Sequence, residues 1–336
     1  MSDSDSETSL INYWKNLSSN INRYASLFLL VFGVLGNILN ILVLSQRSLK
    51  SNSCAWLFLL SSIFNFISLL SGLTTRIIGE WTYDITETVG WLCKLRIFVL
   101  ITSRTIAWWL LTLATLDRWL LSCLDINRRQ LSSLTSAKHG SLIVVIFCTV
   151  LYSPIFYCQQ ANVTNAPLKC YSRSIQCRLF IDQIYTIFTT LLPLILMFFF
   201  GFLTMRNVKK LRRRLSSSFL RRSNSSGNNQ EQSNRLTPID RRLLIMLLIQ
   251  ISFLALFTLP QAFSQIYSTI TLYQSKSLLR RTVETSIYKF TILITYIASG
   301  MSFYVYTLSG GHVFRHAFIS LLQRMTESLF CQKNNC

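Results

Sequence analysis

Long runs of apolar residues alternate with shorter polar stretches along this chain. A bilayer core about 30 Å thick requires roughly 20 apolar residues of helix to cross it. Seven segments approach or exceed that length: Tyr24–Leu44, Cys54–Leu73, Leu95–Leu121, Ser141–Tyr157, Leu179–Met205, Leu243–Tyr267 and Ile287–Leu308. The strands of a membrane β-barrel would be segments of about ten residues with alternating polarity, and these runs are longer and do not alternate. The pattern therefore predicts an all-α membrane protein, a bundle of seven transmembrane helices.

Composition supports a membrane protein and excludes several other classes. The chain is 51% hydrophobic and only 14% charged, whereas soluble domains carry about 25% charged residues. Its nine cysteines among 336 residues are too few for a small disulfide-rich secreted scaffold. The net charge of +20 comes from 33 basic and 13 acidic residues, so the positions of the basic residues should indicate the cytoplasmic side.

The distribution of basic residues predicts the orientation in the plasma membrane. Residues 206–242 hold eleven Lys and Arg, and the positive-inside bias places this loop in the cytoplasm and the N-terminus outside. Glycosylation triplets begin at Asn16 and Asn162, and both fall on the predicted outer side. The expected organisation is an extracellular tail over 1–23, a seven-helix domain over 24–325 with a disordered basic loop over about 206–242, and a cytoplasmic tail over 326–336.

Several short motifs occur in a particular order along the spans. They are Gly36-Asn37 in the first span, Cys93 at the start of the third, Asp117-Arg118-Trp119 at its end, Pro193 in the fifth, Pro260 in the sixth, and Ser302-Phe303-Tyr304-Val305-Tyr306 in the seventh. With this spacing the chain resembles a rhodopsin-like (class A) G-protein-coupled receptor over about residues 24–325. Phe303 stands where most relatives have proline, which is similar to invertebrate neuropeptide receptors of the FMRFamide type.

The resemblance implies roles for residues at the cytoplasmic ends of the helices. Arg118 would pair with Asp117 at rest and contact a heterotrimeric G protein after activation, next to Trp119 and Tyr306. Asp240 falls where relatives often hold a second acid that joins helices three and six. A short amphipathic helix would follow the seventh span, and Cys331 and Cys336 beyond it are palmitoylation candidates.

The resemblance also implies a disulfide between the third helix and the second outer loop. Four cysteines face outward in the predicted topology: Cys93, Cys158, Cys170 and Cys177. Four cysteines allow three pairings. Cys170 is the first choice as the partner of Cys93, and Cys177 is the second.

Arg104 is the most informative single residue for ligand binding. It lies eleven residues after Cys93, about 16 Å along the helix, and only about 40° around the helix from Arg118, so we expect it to face the bundle. A charge at that depth needs a partner. Asp182, Glu284, bound water and an anionic or carbonyl-rich ligand all remain possible partners. The other pocket candidates are Trp108, Gln261, Gln265, Tyr288 and Tyr296, and the proposed hinges are Pro193 and Pro260.

The chain departs from the family at other positions. Asn65 replaces the usual acid of helix two, and Ala107 and Ser302 replace its usual partners, so the family's allosteric sodium site lacks a carboxylate. Thr258 replaces a tryptophan before Pro260, and Gly201 replaces a tyrosine of helix five. A chemosensory or non-coupling receptor with the same fold therefore remains an alternative.

Other function classes find little support. The three histidines, His139, His312 and His316, lie at predicted cytoplasmic positions without metal-ligand spacing, so we expect neither an enzyme nor a cofactor. A small-molecule transporter would show repeated halves, which the spans lack. We expect an extracellular ligand, more readily a peptide than an amine, because helix three has no aspartate one turn above Arg104. The expected inner partners are a G protein and membrane lipid, and no nucleic acid is expected.

Overall fold

A computed structural model describes residues 2–81, 88–123, 125–163, 170–221, 238–309, 314–316, 318–321 and 323. Helices dominate this part of the chain. In chain order the elements are α1 Ser2–Leu44, α2 Arg47–Lys50, α3 Ser53–Trp81, α4 Gly90–Ser122, α5 Ile126–Gln130, α6 Leu134–Tyr152, α7 Ile155–Cys158, β1 Gln159–Gln160, β2 Tyr171–Ser172, α8 Ile175–Ile184, a π-helical segment Tyr185–Leu191, α9 Leu192–Arg221, α10 Pro238–Ile270, α11 Leu278–Gly300 and α12 Ser302–Ser309.

The helices confirm the predicted fold class. Six helical stretches in the described ranges are long and apolar enough to cross a membrane, and α11 with α12, bent by 46°, forms a seventh. The spans are, in order, α1, α3, α4, α6 with α7, α8 to α9, α10, and α11 with α12. Large apolar side chains such as Ile143, Val150 and Phe202 are exposed on the outside of the bundle, as expected of surfaces that face lipid.

The first helix is much longer than its apolar run. Residues 1–23 were expected as a tail separate from the first span, but α1 runs without a break from Ser2 to Leu44. No glycine or proline occurs before Gly33, so nothing in the sequence interrupts the helix.

The basic loop between the fifth and sixth spans is partly helical. Its predicted irregular stretch began at residue 206, whereas α9 continues to Arg221 and α10 begins at Pro238. Residues 206–221 contain neither glycine nor proline and are rich in Leu, Lys and Arg, which favour helix. The remainder of the loop lies outside the described residues.

The seventh span bends at Met301, between α11 and α12. Phe303 stands near the bend, so no proline causes it, and Gly300 supplies the weak point in the helix. Residues 314–316, 318–321 and 323 are also helical. There Phe314 is buried and lies 6.0 Å from both the Phe303 and the Tyr306 rings, so this segment packs its apolar face on the bundle.

Small and polar residues bring the first and seventh spans together. A β-carbon on Gly300 would lie 3.0 Å from the Cα of Gly33, so the two backbones cross at closely paired glycines, as small residues permit in membrane bundles. Next to this crossing, the amide of Asn37 donates to the carbonyls of Gly33 at 2.8 Å and Ser299 at 3.1 Å. Asn37 thus joins two spans through buried backbone groups.

Candidate functional site

Arg118 and Asp117 form a buried ion pair at one end of the third span. The Arg118 Nε donates to Oδ2 of Asp117 at 3.0 Å, and Nη2 lies 2.5 Å from the same oxygen. The other carboxylate oxygen accepts hydrogen bonds from Ser53 at 2.8 Å and Ser132 at 2.7 Å. Asp117 therefore connects the third span to α3 and to the turn after α5, and holds Arg118 against its own helix.

The other predicted residues of this end lie around the ion pair or outside what is described. Tyr306 is buried and stacks on Phe58 with ring centres 4.9 Å apart. Trp119 is half-buried and lies 5.4 Å from the Phe200 ring. The backbone of Asp240 is helical, but its side chain lies outside the described residues, so its proposed bridge to helix three stays a prediction. Cys331 and Cys336 lie outside them too.

Two disulfides cross-link the opposite end of the bundle. Cys93 is bonded to Cys170, the partner that the resemblance made the first choice, and Cys158 is bonded to Cys177. Between them β1 and β2 pair antiparallel, with Gln159 opposite Ser172. The segment between the fourth and fifth spans is therefore fixed to the start of the third span and to α8.

A cavity of about 800 Å³ opens between the sixth and seventh spans at the disulfide end. Its lining combines aromatic and charged side chains: Arg178, Phe263, Tyr267, Lys276, Arg281, Glu284, Tyr288 and Thr291. Several of the charges are paired. Arg178 lies 3.6 Å from Asp182, and Glu284 is bound by Lys276 and by Arg280, the latter at 2.9 Å. The cavity has the size and the mixed lining of a ligand site.

Burial also affects Tyr171, which lies on β2 near this cavity. Removal from water raises the pKa of its phenol above the usual value, because the charged form loses its hydration. The guanidinium of Arg178 lies 5.5 Å from the centre of the Tyr171 ring. Tyr171 is therefore a neutral aromatic partner for Arg178 at physiological pH.

The predicted pocket residues divide between the cavity and the bundle core. Tyr288 lines the cavity. Gln261 and Gln265 are buried beside it, where they accept hydrogen bonds from Thr291 at 2.6 Å and Thr186 at 2.8 Å. Trp108 is fully buried in the main hydrophobic core and is not among the lining residues.

Arg104 lies in the core, as its spacing from Arg118 predicted, and is only 4% exposed. Its Nη1 donates to Thr295 at 3.1 Å and to the Tyr185 hydroxyl at 3.3 Å, and its guanidinium lies 4.3 Å from the centre of the Tyr296 ring. Asp182 and Glu284, the two acids considered as its partners, pair with other basic residues instead. In the described part of the chain, no ion pair includes Arg104.

The π-helical segment positions Tyr185 and explains how the fifth span tolerates Pro193. In this segment the amide of Leu192 donates to the carbonyl of Ile187, so the next amide in the series would belong to residue 193 and donate to Phe188. Proline has no N–H. The indole nitrogen of Trp109 donates to the Phe188 carbonyl at 3.1 Å instead. Hydropathy gave no signal for this arrangement, which sequence reasoning missed.

The two glycosylation candidates lie on exposed backbone. Asn16 is exposed on α1. Asn162 follows β1 with a positive φ of 58°, and its side-chain amide donates to the carbonyl of Thr88 at 3.2 Å. Thr164, which completes the second triplet, lies outside the described residues.

Comparison with known families matches residues 36–306 to the 7 transmembrane receptor (rhodopsin family). The chain belongs to this family. It is a multi-pass membrane receptor of the G-protein-coupled class and not an enzyme. No curated protein sequence matches the chain, so the family alone is established. The match begins at Gly36 and ends at Tyr306, and it therefore includes the Asp117–Arg118 pair, both disulfides and the lining residues of the 800 Å³ cavity.

Proposed function

We propose that this receptor lies in the plasma membrane with its N-terminus outside and transduces an extracellular peptide signal to a heterotrimeric G protein. The observation that carries the proposal is the buried Asp117–Arg118 pair with its two serine donors. The contact between this buried cation and the acid next to it on the same helix is switchable, because a rearrangement of neighbouring spans can release Arg118 from Asp117 without unfolding. The orientation follows from the basic segment 206–242.

Activation would shift an existing equilibrium between two arrangements of the sixth span. Pro260 lies inside α10 and removes one backbone hydrogen bond there, which makes this position a hinge. Below it, the buried amide of Gln250 donates to Ser302 at 3.1 Å and joins the sixth span to the seventh. Outward movement of the inner half of α10 would break this contact and expose Arg118 to the G protein.

The cavity between the sixth and seventh spans supports a peptide ligand. It is larger than an amine requires, and its rim carries both signs of charge, with Arg178, Lys276 and Arg281 beside Glu284. A peptide presents backbone carbonyls, amides and side chains that such a mixed rim can bind. The resemblance of the seventh span to FMRFamide-type receptors suggests an amidated neuropeptide.

One feature of the inner half favours the alternative of a receptor that does not couple. A β-carbon on Gly201 would lie 3.2 Å from Leu248, so Leu248 occupies the place next to the helix-five position where relatives carry tyrosine. The contact between the fifth and sixth spans that would accompany activation is therefore apolar here. A chemosensory or non-coupling receptor would keep the ligand cavity and lose the inner response.

The experiment is a coupling panel in cultured cells. Receptor with verified surface expression is challenged with a library of amidated peptides and read out with biosensors for each Gα class. Arg118→Ala should abolish the response, whereas Arg128→Ala should not, because Arg128 is an exposed residue whose side chain is 60% accessible. Silence of the wild-type receptor across the library would favour the non-coupling alternative.

A second pair of variants tests the ligand site. Arg178→Ala removes a cation from the cavity lining and should lower agonist potency without changing the maximal response. Arg173→Ala is the matched control, because Arg173 is exposed on the same connection and is not among the lining residues. Equal potency of the two variants would place the ligand elsewhere.

A further inference from the structure

The guanidinium of Arg104 is a buried cation with unused donors. Nη1 makes both of its hydrogen bonds, to Tyr185 and Thr295, whereas Nε and Nη2 have no partner. Arginine has five N–H groups, so three of them remain unpaired in a side chain that is 4% exposed. Each unpaired buried donor is costly, and more so when it is charged.

The aromatic ring of Tyr296 stabilises the cation only from one face. The ring centre lies 4.3 Å from the Arg104 guanidinium, a distance typical of a cation–π contact. This contact is made through the face of the guanidinium and leaves its edges unchanged. The hydroxyl of Tyr296 is itself buried without a hydrogen bond of good geometry, and it carries no charge that could neutralise the guanidinium.

The geometry of the two unpaired nitrogens indicates which kind of acceptor could bind to Arg104. Nε and Nη2 form one edge of the planar guanidinium, and their N–H groups point in nearly the same direction. This fork binds two oxygens of a carboxylate, or one small spherical anion between both N–H groups. Water could accept these hydrogen bonds, but it would not neutralise the charge, whose burial alone costs several kcal/mol.

The surrounding side chains supply no negative charge. Thr295 and Tyr185 are neutral, and the nearest turns add only neutral polar groups without partners, among them Trp108 four residues after Arg104 and Ser299 three residues after Tyr296. No Asp or Glu occurs in the core of any span. Within the described residues no acid pairs with Arg104, so a bound group is the source of negative charge that the geometry favours.

We propose that the Nε and Nη2 edge of Arg104 binds a monovalent anion in the core of the bundle. The anionic group is either a free halide, chloride being the abundant one, or the carboxylate of an organic ligand. In both cases it would complete a polar cluster that joins the third, fifth and seventh spans through Arg104, Tyr185 and Thr295. This proposal concerns the folded bundle and does not depend on the peptide or on the G protein.

The test measures thermal unfolding of the purified full-length receptor by its intrinsic fluorescence. The buffer contains sodium gluconate, whose large anion is excluded from a buried site, and is exchanged for sodium chloride, bromide or formate at constant ionic strength. The expected result is a rise of the melting temperature that grows with the logarithm of the anion concentration and reaches about 2–4 °C for an anion at tenfold excess over its Kd. A rise with halides identifies a free ion, and a rise with formate alone identifies a carboxylate. Equal melting temperatures in all four anions would overturn the proposal.

Variants tie the response to this site. Thr295→Asp places a fixed carboxylate at a position whose side chain already lies 3.1 Å from Arg104 Nη1, so it should raise the melting temperature in gluconate and abolish the response to anions. Thr295→Asn has the same shape without the charge and should keep the response.

Arg104→Gln should lose the response as well. Arg76→Gln is its control, because Arg76 lies farther from the same Tyr296 ring, at 5.9 Å, and has a neutral partner in Asn22 at 3.0 Å. A full anion response in either Thr295→Asp or Arg104→Gln would refute the assignment, even if the other variant failed to fold.

Discussion

A β-carbon on Gly72 would lie 2.0 Å from the hydroxyl oxygen of Tyr296 and 2.7 Å from the ring carbon that carries it. The second and seventh spans thus meet where one residue has no side chain and the other is a fully buried tyrosine. Tyr296 is confined between this glycine and the guanidinium of Arg104. The position of the ring therefore depends on Gly72.

We expect Gly72→Ala to destabilise the receptor by about 1–3 kcal/mol, the usual range for overpacking in a core. The reason is that both the hydroxyl and the ring of Tyr296 would have to move. The measurement is the melting temperature of the purified protein together with its surface expression. Gly90→Ala is the matched control, because a β-carbon there meets nothing within 4 Å. Gly72→Ala should cost less in a Tyr296→Ala background than in the unmodified receptor, because the ring that it would displace is absent there, and an unchanged melting temperature in the single variant would contradict the packing.

The spans and the fold class could be predicted from the sequence, because hydropathy records which segments can lie in lipid. The inward orientation of Arg104 could also be predicted, since the angle between residues 104 and 118 follows from helix geometry. Its partners could not. Tyr185 and Thr295 are separated from Arg104 by 81 and 191 residues, and hydroxyl groups are common in membrane helices, so nothing in their pattern marks them.

Other features escaped prediction for equally physical reasons. Hydropathy marks the apolar part of α1 but not its polar extension from Ser2, because a polar helix and a polar coil have the same composition. The pairing of Cys158 with Cys177 depends on how the connection folds, and four cysteines alone leave three choices. The side chain of Asp240 lies beyond the described residues, and its role stays a prediction.

Asp117→Asn should raise signalling in the absence of agonist. The substitution keeps the shape of the side chain but removes the charge that holds Arg118 at 3.0 Å. Charge-assisted hydrogen bonds contribute about 1.5–3 kcal/mol, which corresponds to a shift of roughly tenfold or more in the equilibrium between the resting and active arrangements. Basal activity of a Gα biosensor, normalised to surface expression, measures the effect.

The control for this prediction is Asp125→Asn. Asp125 lies 3.7 Å from Arg128 in an ion pair in which both side chains are more than half exposed, and such surface pairs contribute little. Basal activity should therefore stay at the wild-type level. Equal basal activity of Asp117→Asn and the wild type would show that the Asp117–Arg118 pair does not stabilise the resting arrangement.

The two disulfides should differ in their contribution to stability. Cys93–Cys170 closes a loop of 77 residues and Cys158–Cys177 one of 19. On the chain-entropy argument the longer loop contributes about 4.5 kcal/mol and the shorter about 3 kcal/mol. Double serine variants of each pair should both lower the melting temperature, with the larger loss for the Cys93–Cys170 pair. Double variants are used because they leave no unpaired thiol, and the reverse order of losses would contradict the argument.

Trp109→Phe should destabilise the fifth span through a single lost hydrogen bond. Phenylalanine can keep the stacking on Phe188, whose ring centre lies 5.1 Å away, but it cannot donate to the Phe188 carbonyl. The expected cost is about 1 kcal/mol. In a Pro193→Ala background the alanine amide can make the bond instead, so Trp109→Phe should cost less there. A double-mutant cycle on the melting temperature measures this coupling, and additive effects would refute it.

Sodium should have no specific effect on this receptor. Asn65 is buried and its carbonyl oxygen has no partner, while Ser302 accepts the hydrogen bond from Gln250. Together with Ala107 these residues offer no carboxylate, which a hard cation requires in a dry site. Replacing sodium by choline at constant chloride should therefore leave the melting temperature unchanged. Constant chloride is essential, because the anion proposed at Arg104 would otherwise change with the salt. Asn65→Asp restores the carboxylate and should create a sodium-dependent rise, which proves that the assay can detect one. A sodium-specific shift in the unmodified receptor would contradict the prediction and place a cation site among these neutral side chains.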